Sequence, residues 1–219
     1  DINVEALRRS VHHIATRHEI LRTTYSLVDD EPQQIVHEDR TIELKCVDLG
    51  ATPITQQNEA MQRLLLGEVQ RAFDLEAGPM LRILLVRLGE REHVLLRVIH
   101  HIVSDGWSSG LFDRELSAVY GAFVNGQEPG LPALPIQYAD YAAWQREWLQ
   151  GEVLESQLAY WKSQLAGVST LELPTDRPRP PVASHQGAHL AFDLPAPLTE
   201  TLKELGRREG ATLFMTLLA

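Results

Sequence analysis

Residues Leu96–Ser109 read LRVIHHIVSDGWSS. An apolar run ends in two imidazoles, His100 and His101, and an acid and a glycine follow at Asp105 and Gly106. Histidine is the side chain best suited to move a proton near neutral pH. Adjacent strand residues point to opposite faces, so both rings cannot serve one metal or one substrate from regular strand geometry. One histidine is expected to project into a cleft while the other packs or finds a backbone partner. Asp105 can fold back on the imidazole, pair with a cation, or cap the helix expected to start near Trp107. Gly106 allows positive φ or close approach of backbone to a ligand. The bland alternative stays open: two satisfied structural histidines and a capping aspartate. A metal centre has little support, because the chain has no HExxH, no paired cysteines and no ligand set at zinc spacing.

The elements that must position this stretch follow from periodicity. Val4, Leu7, Val11, Ile14 and His18 recur at helical spacing behind a capping Asn3. LRTTYSL and QQIVHE read as a hairpin around VDDEP, and TIELKCVDL as a further strand. Gln56 to Arg71 is helical, with Met61, Leu64, Leu65 and Val69 expected inward. Met80 to Leu88 and HVLLRVIHH form two apolar strands joined by GERE, expected as a central hairpin covered on both faces. A helix follows from about Ser108 to Val124, with Leu111, Leu116, Val119, Tyr120 and Phe123 inward. YADYAAWQREWL and EVLESQLAYWKSQLAG are two more helices. LPTDRPRPPVAS is proline-rich and reads as an extended linker. Beyond it, QGAHLAFDL is expected as a strand and LTETLKELGRREG as a helix. His12-His13 is a second histidine pair, mid-helix and expected on the surface.

The 219 residues are 44% apolar and 23% charged, enough for one sizeable core. A formal charge of −10 with no basic stripe argues against nucleic acid or anionic membrane as the main partner. No apolar stretch is long enough to span a bilayer. The single cysteine, Cys46, is expected as a small buried or half-buried residue, and with no signal-peptide core at the N-terminus a cytoplasmic location is expected. With no initiator Met and a closing ATLFMTLLA that reads as an interrupted helix, the chain is expected to be part of a longer polypeptide.

HHIVSDGWS resembles the HHxxxDG motif of condensation domains in nonribosomal peptide synthetases. RHEILRTTY (Arg17 to Tyr25) is similar to that family's RHExLRTxF segment, YADYAAWQ (Tyr138 to Gln145) to its YxDYAxWQ segment, and LPTDRPRP is typical of it. The resemblance implies an α/β, chloramphenicol-acetyltransferase-like lobe, a mixed sheet flanked by helices, with the second lobe truncated. It divides the chain into a first lobe at 1–172, a proline-rich linker at 173–185 and the beginning of a C-terminal lobe at 186–219. His101 matches the histidine regarded as catalytic. His100, Gly106 and Trp107 complete or line the motif. Asp105 matches a structural acid salt-bridged to an arginine, with Arg17 preferred over Arg22. Tyr138 and Trp144 are expected to pack the lobe.

The implied activity is peptide-bond formation between carrier-bound thioesters. No cofactor or metal is bound directly, because substrates arrive on the phosphopantetheine of donor and acceptor carrier proteins. Further partners are an adenylation domain and the remainder of the C-terminal lobe, without which the fragment is expected to be inactive. A related acyltransferase, an epimerization domain and a non-catalytic recruitment module are the alternatives.

Overall fold

The computed structural model describes residues 2–182, 187–188 and 190–219. They form two compact units, Asp1–Leu165 and Ala166–Ala219.

The first unit opens with helix α1, Val4–Arg17, whose N-terminus is closed by the Asn3 side chain accepting from the Ala6 N–H at 3.0 Å. Its Leu7, Val11 and Ile14 stripe is buried. A short 3-10 turn, Glu19–Arg22, leads into β1, Thr23–Val28, which pairs antiparallel with β2, Glu31–Val36. Asp29 and Asp30 bridge them with φ of 52° and 61°, the two-residue turn that matches strand twist.

β3, Leu44–Asp48, helix α2, Ile54–Gln70, and β4, Leu81–Arg87, make a parallel crossover unit. β5, His93–Ile99, returns antiparallel on β4, giving a mixed sheet of order β3-β4-β5. Period-2 alternation splits β4 between two faces. Leu81, Ile83 and Leu85 join the cluster that holds Leu7, Val11, Ile14, Val103 and Phe112, the last from α3, Gly106–Val124. On the other face lies Arg82, near Glu68 of α2. Gln57 of α2 donates to the Leu49 and Leu88 carbonyls, at 3.1 and 2.7 Å, fastening the helix to the sheet's end.

Four burial expectations are corrected here. β4 is the central strand, but β5 is an edge and mostly half-exposed, because nothing pairs with its far side among the described residues. Cys46 is exposed, since β3 is the other edge. α2 keeps Met61, Leu64 and Leu65 half-buried but leaves Val69 exposed, and its fully buried residues are Gln57 and Glu68, so its inner face also carries hydrogen bonds and charge. His12 is exposed as expected, whereas His13 is half-buried with its ring edge-on to Phe123 at 6.1 Å.

α4, Tyr138–Trp148, and α5, Gly151–Gln164, complete this unit. α4 buries none of its residues. Tyr138 and Trp144, expected to pack the lobe, are 49% and 52% exposed and belong to a surface ladder with Tyr141 and Trp148. Their helical spacing is the same whether the stripe is covered or open, so the pattern could not distinguish the two.

In the second unit, α6, Ala196–Arg208, and α7, Leu213–Leu218, pack at Gly206, where an added Cβ would stand 2.9 Å from the Thr216 hydroxyl. The proline-rich stretch has no helix or strand in its described part. The strand expected over Gln186–Leu194 is not formed at Gly187, Ala188 or Leu190–Leu194, and Gln186 and His189 lie outside the described residues. A strand needs a neighbour to satisfy its backbone, and this unit offers none among the described residues. Among the described residues no helix is long and apolar enough to cross a membrane.

Candidate functional site around the histidine pair

β5 ends at Ile99, one residue before the histidines. The His100 N–H still donates to the Met80 carbonyl at 2.9 Å, extending the hairpin by one bond. The chain then turns, with the Val103 N–H donating to the His100 carbonyl at 3.1 Å. Inside this turn the Ile102 N–H donates to Nδ1 of His100 at 3.0 Å. A backbone N–H can only donate, so the neutral His100 ring carries its proton on Nε2. The ring meets Phe73 edge-on, with centroids 5.4 Å apart. Val103, 7% exposed, anchors the far side of the turn in the core. His100 is thus half-buried and occupied, and His101, at the crest of the turn, is exposed.

Asp105 is the N-cap of α3. Its Oδ1 accepts from the Ser108 N–H at 2.7 Å and from the Ser108 hydroxyl at 2.6 Å. These two bonds, hydroxyl first, hold its carboxyl below the usual aspartate range, and the nearby charge of His101 adds to the effect. The expected ion pair with an arginine is therefore replaced by a cap. Arg17 turns instead to Glu115 of α3, Nε to Oε1 at 3.3 Å. Arg22 donates to the His37 carbonyl at 2.9 Å and lies 3.6 Å from Glu19. Both arginines fix the base of the lobe, not the motif loop.

Gly106 begins α3 without a positive φ, and a Cβ there would meet nothing within 4 Å. Neither strain nor crowding among the described residues explains the glycine. Trp107 is 85% exposed beside it. His101, Gly106 and Trp107 are all exposed. A cavity of about 100 Å³ is lined by Ile99, Val103, Ser104, Ser108, Phe112 and His18, among others. A second cavity, of about 370 Å³, lies around Lys45, Glu68 and Arg82 and includes no residue of the histidine motif.

Local pattern left several supporting residues unseen. Glu115, with 8% of its side chain exposed, accepts from Arg17 and meets Nε2 of His18 at 2.6 Å. Gln137 donates to the Arg17 carbonyl at 3.0 Å, accepts from the Glu19 N–H at 3.2 Å and forms a capping box with Asp140. The segment after α1 is thereby tied to both α3 and α4. A buried glutamate in an apolar helix was the available signal for Glu115. Its partners, 97 and 98 residues away, carried none. Among the described residues no cluster of His, Cys, Asp and Glu could hold a metal ion.

A family model described as condensation domain matches residues 1–219. A linear gramicidin synthase of Brevibacillus parabrevis is 50% identical over 219 residues, 100% of this chain and 3% of that protein. Phosphinothricin tripeptide synthetase PhsC of Streptomyces viridochromogenes is 44% identical over 99% of this chain and 20% of its own length. Among solved structures, the X-domain from teicoplanin biosynthesis superimposes with a TM-score of 0.81 at 32% identity, over 96% of this chain and 46% of that one. The epimerization domain from the third module of tyrocidine synthetase B does so with a TM-score of 0.77 at 26% identity, over 92% and 45%. The chain thus spans a small part of its curated relatives and just under half of these two solved chains.

Proposed function

We propose that this chain, which belongs to the condensation-domain family, supplies the histidine motif of an amide-forming acyltransferase in nonribosomal peptide synthesis. Its mixed sheet flanked by helices is the chloramphenicol-acetyltransferase-like lobe of that family. The observation that carries the reading is the division of labour in HHIVSDGWS. His100 is consumed by its own turn and Asp105 by a helix cap, while the exposed His101 takes part in neither.

In the proposed reaction an acceptor amine attacks the carbonyl of a donor acyl thioester. A C–N bond forms, the C–S bond breaks, the amine loses its proton and the carrier thiol leaves. Both substrates are delivered on phosphopantetheine by carrier proteins. An α-amine has a pKa near 8, so part of it is already neutral, and positioning contributes as much as proton removal. His101 orients the amine and takes the proton as it is lost. Gly106, with open space where a side chain would be, leaves room for the substrate arm beside it.

Fold likeness extends to an epimerization domain and an X-domain, so the intact motif, not the fold, selects this reading. The test uses the parent synthetase with loaded donor and acceptor carriers, following dipeptidyl product by mass spectrometry. His101→Ala should lower product formation by about 10²-fold or more, and His100→Ala by less. Exchange of an α-hydrogen for deuterium without new amide would establish epimerization instead. Equal loss in the two variants would end the assignment of chemistry to His101.

A further inference from the structure

The segment between α2 and β4, RAFDLEAGPM, supplies no residue to the proposed chemistry, yet it reaches the histidine pair. Phe73 is half-buried, and its ring has two polar neighbours. On one side is the His100 imidazole, 5.4 Å between centroids at 80°. On the other is the Arg82 guanidinium, 3.8 Å from the ring centroid.

Arg82 is itself fixed. It stands on the central strand, and its guanidinium caps the exit of α2. Nη2 donates to the Glu68 and Arg71 carbonyls, at 3.0 and 2.7 Å, and Nη1 to the Ala72 carbonyl at 3.4 Å. Its Nε lies 3.8 Å from the Glu68 carboxylate, which Lys45 holds at 2.7 Å and Arg71 at 3.1 Å. A cation at a helix C-terminus is favourable on its own, and over an aromatic face it is doubly so. The chain beyond Phe73 is pinned as well. The Asp74 carboxylate accepts from the Glu76 and Ala77 N–H groups at 2.9 Å, and the Tyr25 N–H donates to the Leu75 carbonyl at 2.8 Å. Phe73 has little freedom to move.

His100, by contrast, has freedom to lose. It sits past the last residue of β5, in a turn held by the Val103 N–H to His100 carbonyl bond and, at the ring, by the bond from the Ile102 N–H to Nδ1. If the ring rotates about χ2, that bond is lost. The Phe73 ring, set edge-on, restricts the rotation.

We infer that Phe73, clamped by Arg82, is a positioning residue: it locks the His100 ring in the orientation that closes the turn and presents His101. The inference rests on the proposed function only where it assigns chemistry to His101. The locking itself is a property of this chain. The run of contacts is continuous, from central strand to arginine, aromatic ring, first histidine and turn. It also gives the motif's first histidine a purpose that requires no contact with substrate.

The lock is tested on the 219-residue chain by 15N NMR of the imidazoles at mildly alkaline pH, where the rings are neutral. The His100 signals are assigned through His100→Gln. The wild-type chain should show His100 as a single Nε2–H tautomer, with Nδ1 shifted as a hydrogen-bond acceptor. Phe73→Leu keeps apolar volume and removes the ring edge, and Arg82→Gln keeps a donor and removes the cation. Either should convert His100 to averaged tautomers while circular dichroism and the other imidazole signals stay as they were. Phe73→Tyr should restore the wild-type pattern.

In the parent synthetase, Phe73→Leu should lower kcat by about 10- to 100-fold, the scale of a misplaced catalytic group, with KM for the carrier-bound acceptor changed by less than about 2-fold. If a folded Phe73→Leu chain and a folded Arg82→Gln chain both keep the wild-type His100 tautomer, the inference is wrong. If the tautomer changes but His101→Ala leaves amide formation intact, the lock stands and the proposed function falls.

Discussion

Glu115→Ala is the perturbation that most directly tests how the base of this lobe is held. The carboxylate sits on α3 with 8% of its side chain exposed, 3.3 Å from Nε of Arg17 and 2.6 Å from Nε2 of His18. Those partners are themselves 13% and 18% exposed. Removing the acid leaves a buried guanidinium without its carboxylate, and breaking a buried pair on one side costs about 3–5 kcal/mol. Domains of this size are stable by about 5–15 kcal/mol, so the loss is a large fraction of the whole. It corresponds to a fall in Tm of roughly 6–20 °C.

Two controls bracket the number. Glu5–Arg8, an exposed pair at 3.6 Å, should lose less than about 1 kcal/mol on Glu5→Ala. The double variant Glu115→Ala, Arg17→Met removes the orphaned charge, so it should be less destabilised than the sum of its singles by about 1–3 kcal/mol. Urea unfolding followed by far-UV circular dichroism measures all of these proteins. If Glu115→Ala matches Glu5→Ala, or the double variant is strictly additive, the tie between α1 and α3 does not depend on this charge.

Asp105→Asn should leave the melting temperature at neutral pH within a few degrees of the parent, because asparagine and aspartate cap helices about equally well. Insoluble or heat-labile protein would revive the arginine pair. The Asp105 carboxyl is held low by the Ser108 hydroxyl and N–H. Its ionisation therefore adds stability that is fully present above the ordinary value near 3.9 and is lost as pH falls through the lower folded value. The asparagine variant should lack that acid-side component in melts taken between about pH 5 and pH 2. Tyr25→Phe addresses a buried hydroxyl that has no partner among the described residues. Burial first, and the charge of Tyr138 second, push this phenol up to about 12. The folded protein keeps a proton that the unfolded chain releases near 10, so the stability is fully present below about 10 and is lost as pH rises from there through the folded value near 12. Tyr25→Phe should gain roughly 1 kcal/mol at pH 7. It should also flatten the alkaline loss, as read from urea midpoints at about pH 9 and pH 11. A less stable phenylalanine variant would mean that the hydroxyl is satisfied in solution.

What could be seen in the residue order, and what could not, divides along the range of the forces involved. Helix α1 with its Asn3 cap, the Asp29-Asp30 turn and the order of strands and helices through α3 are local, set by period and by residues a few positions apart. Which strand lies at an edge is not local. β5 is as apolar as β4, yet one side of it pairs with nothing among the described residues, and Cys46 is exposed for the same reason on β3. The second-unit strand fails similarly: Ala191 to Leu194 have the composition of a strand but no neighbour to bond among the described residues. Charge is the least legible. An acid in a loop suggests a cation for Asp105, but two serine bonds and a helix terminus satisfy it within three residues, freeing Arg17 to meet Glu115 across the fold. The motif therefore singles out the histidine proposed to be reactive, while Phe73, Arg82, Glu115 and Gln137, which fix its surroundings, become visible only when segments distant in sequence are brought together. A cap can be completed by the next turn of helix. The orientation of one imidazole ring depends on a central strand, a helix exit and a hairpin end meeting at the same point.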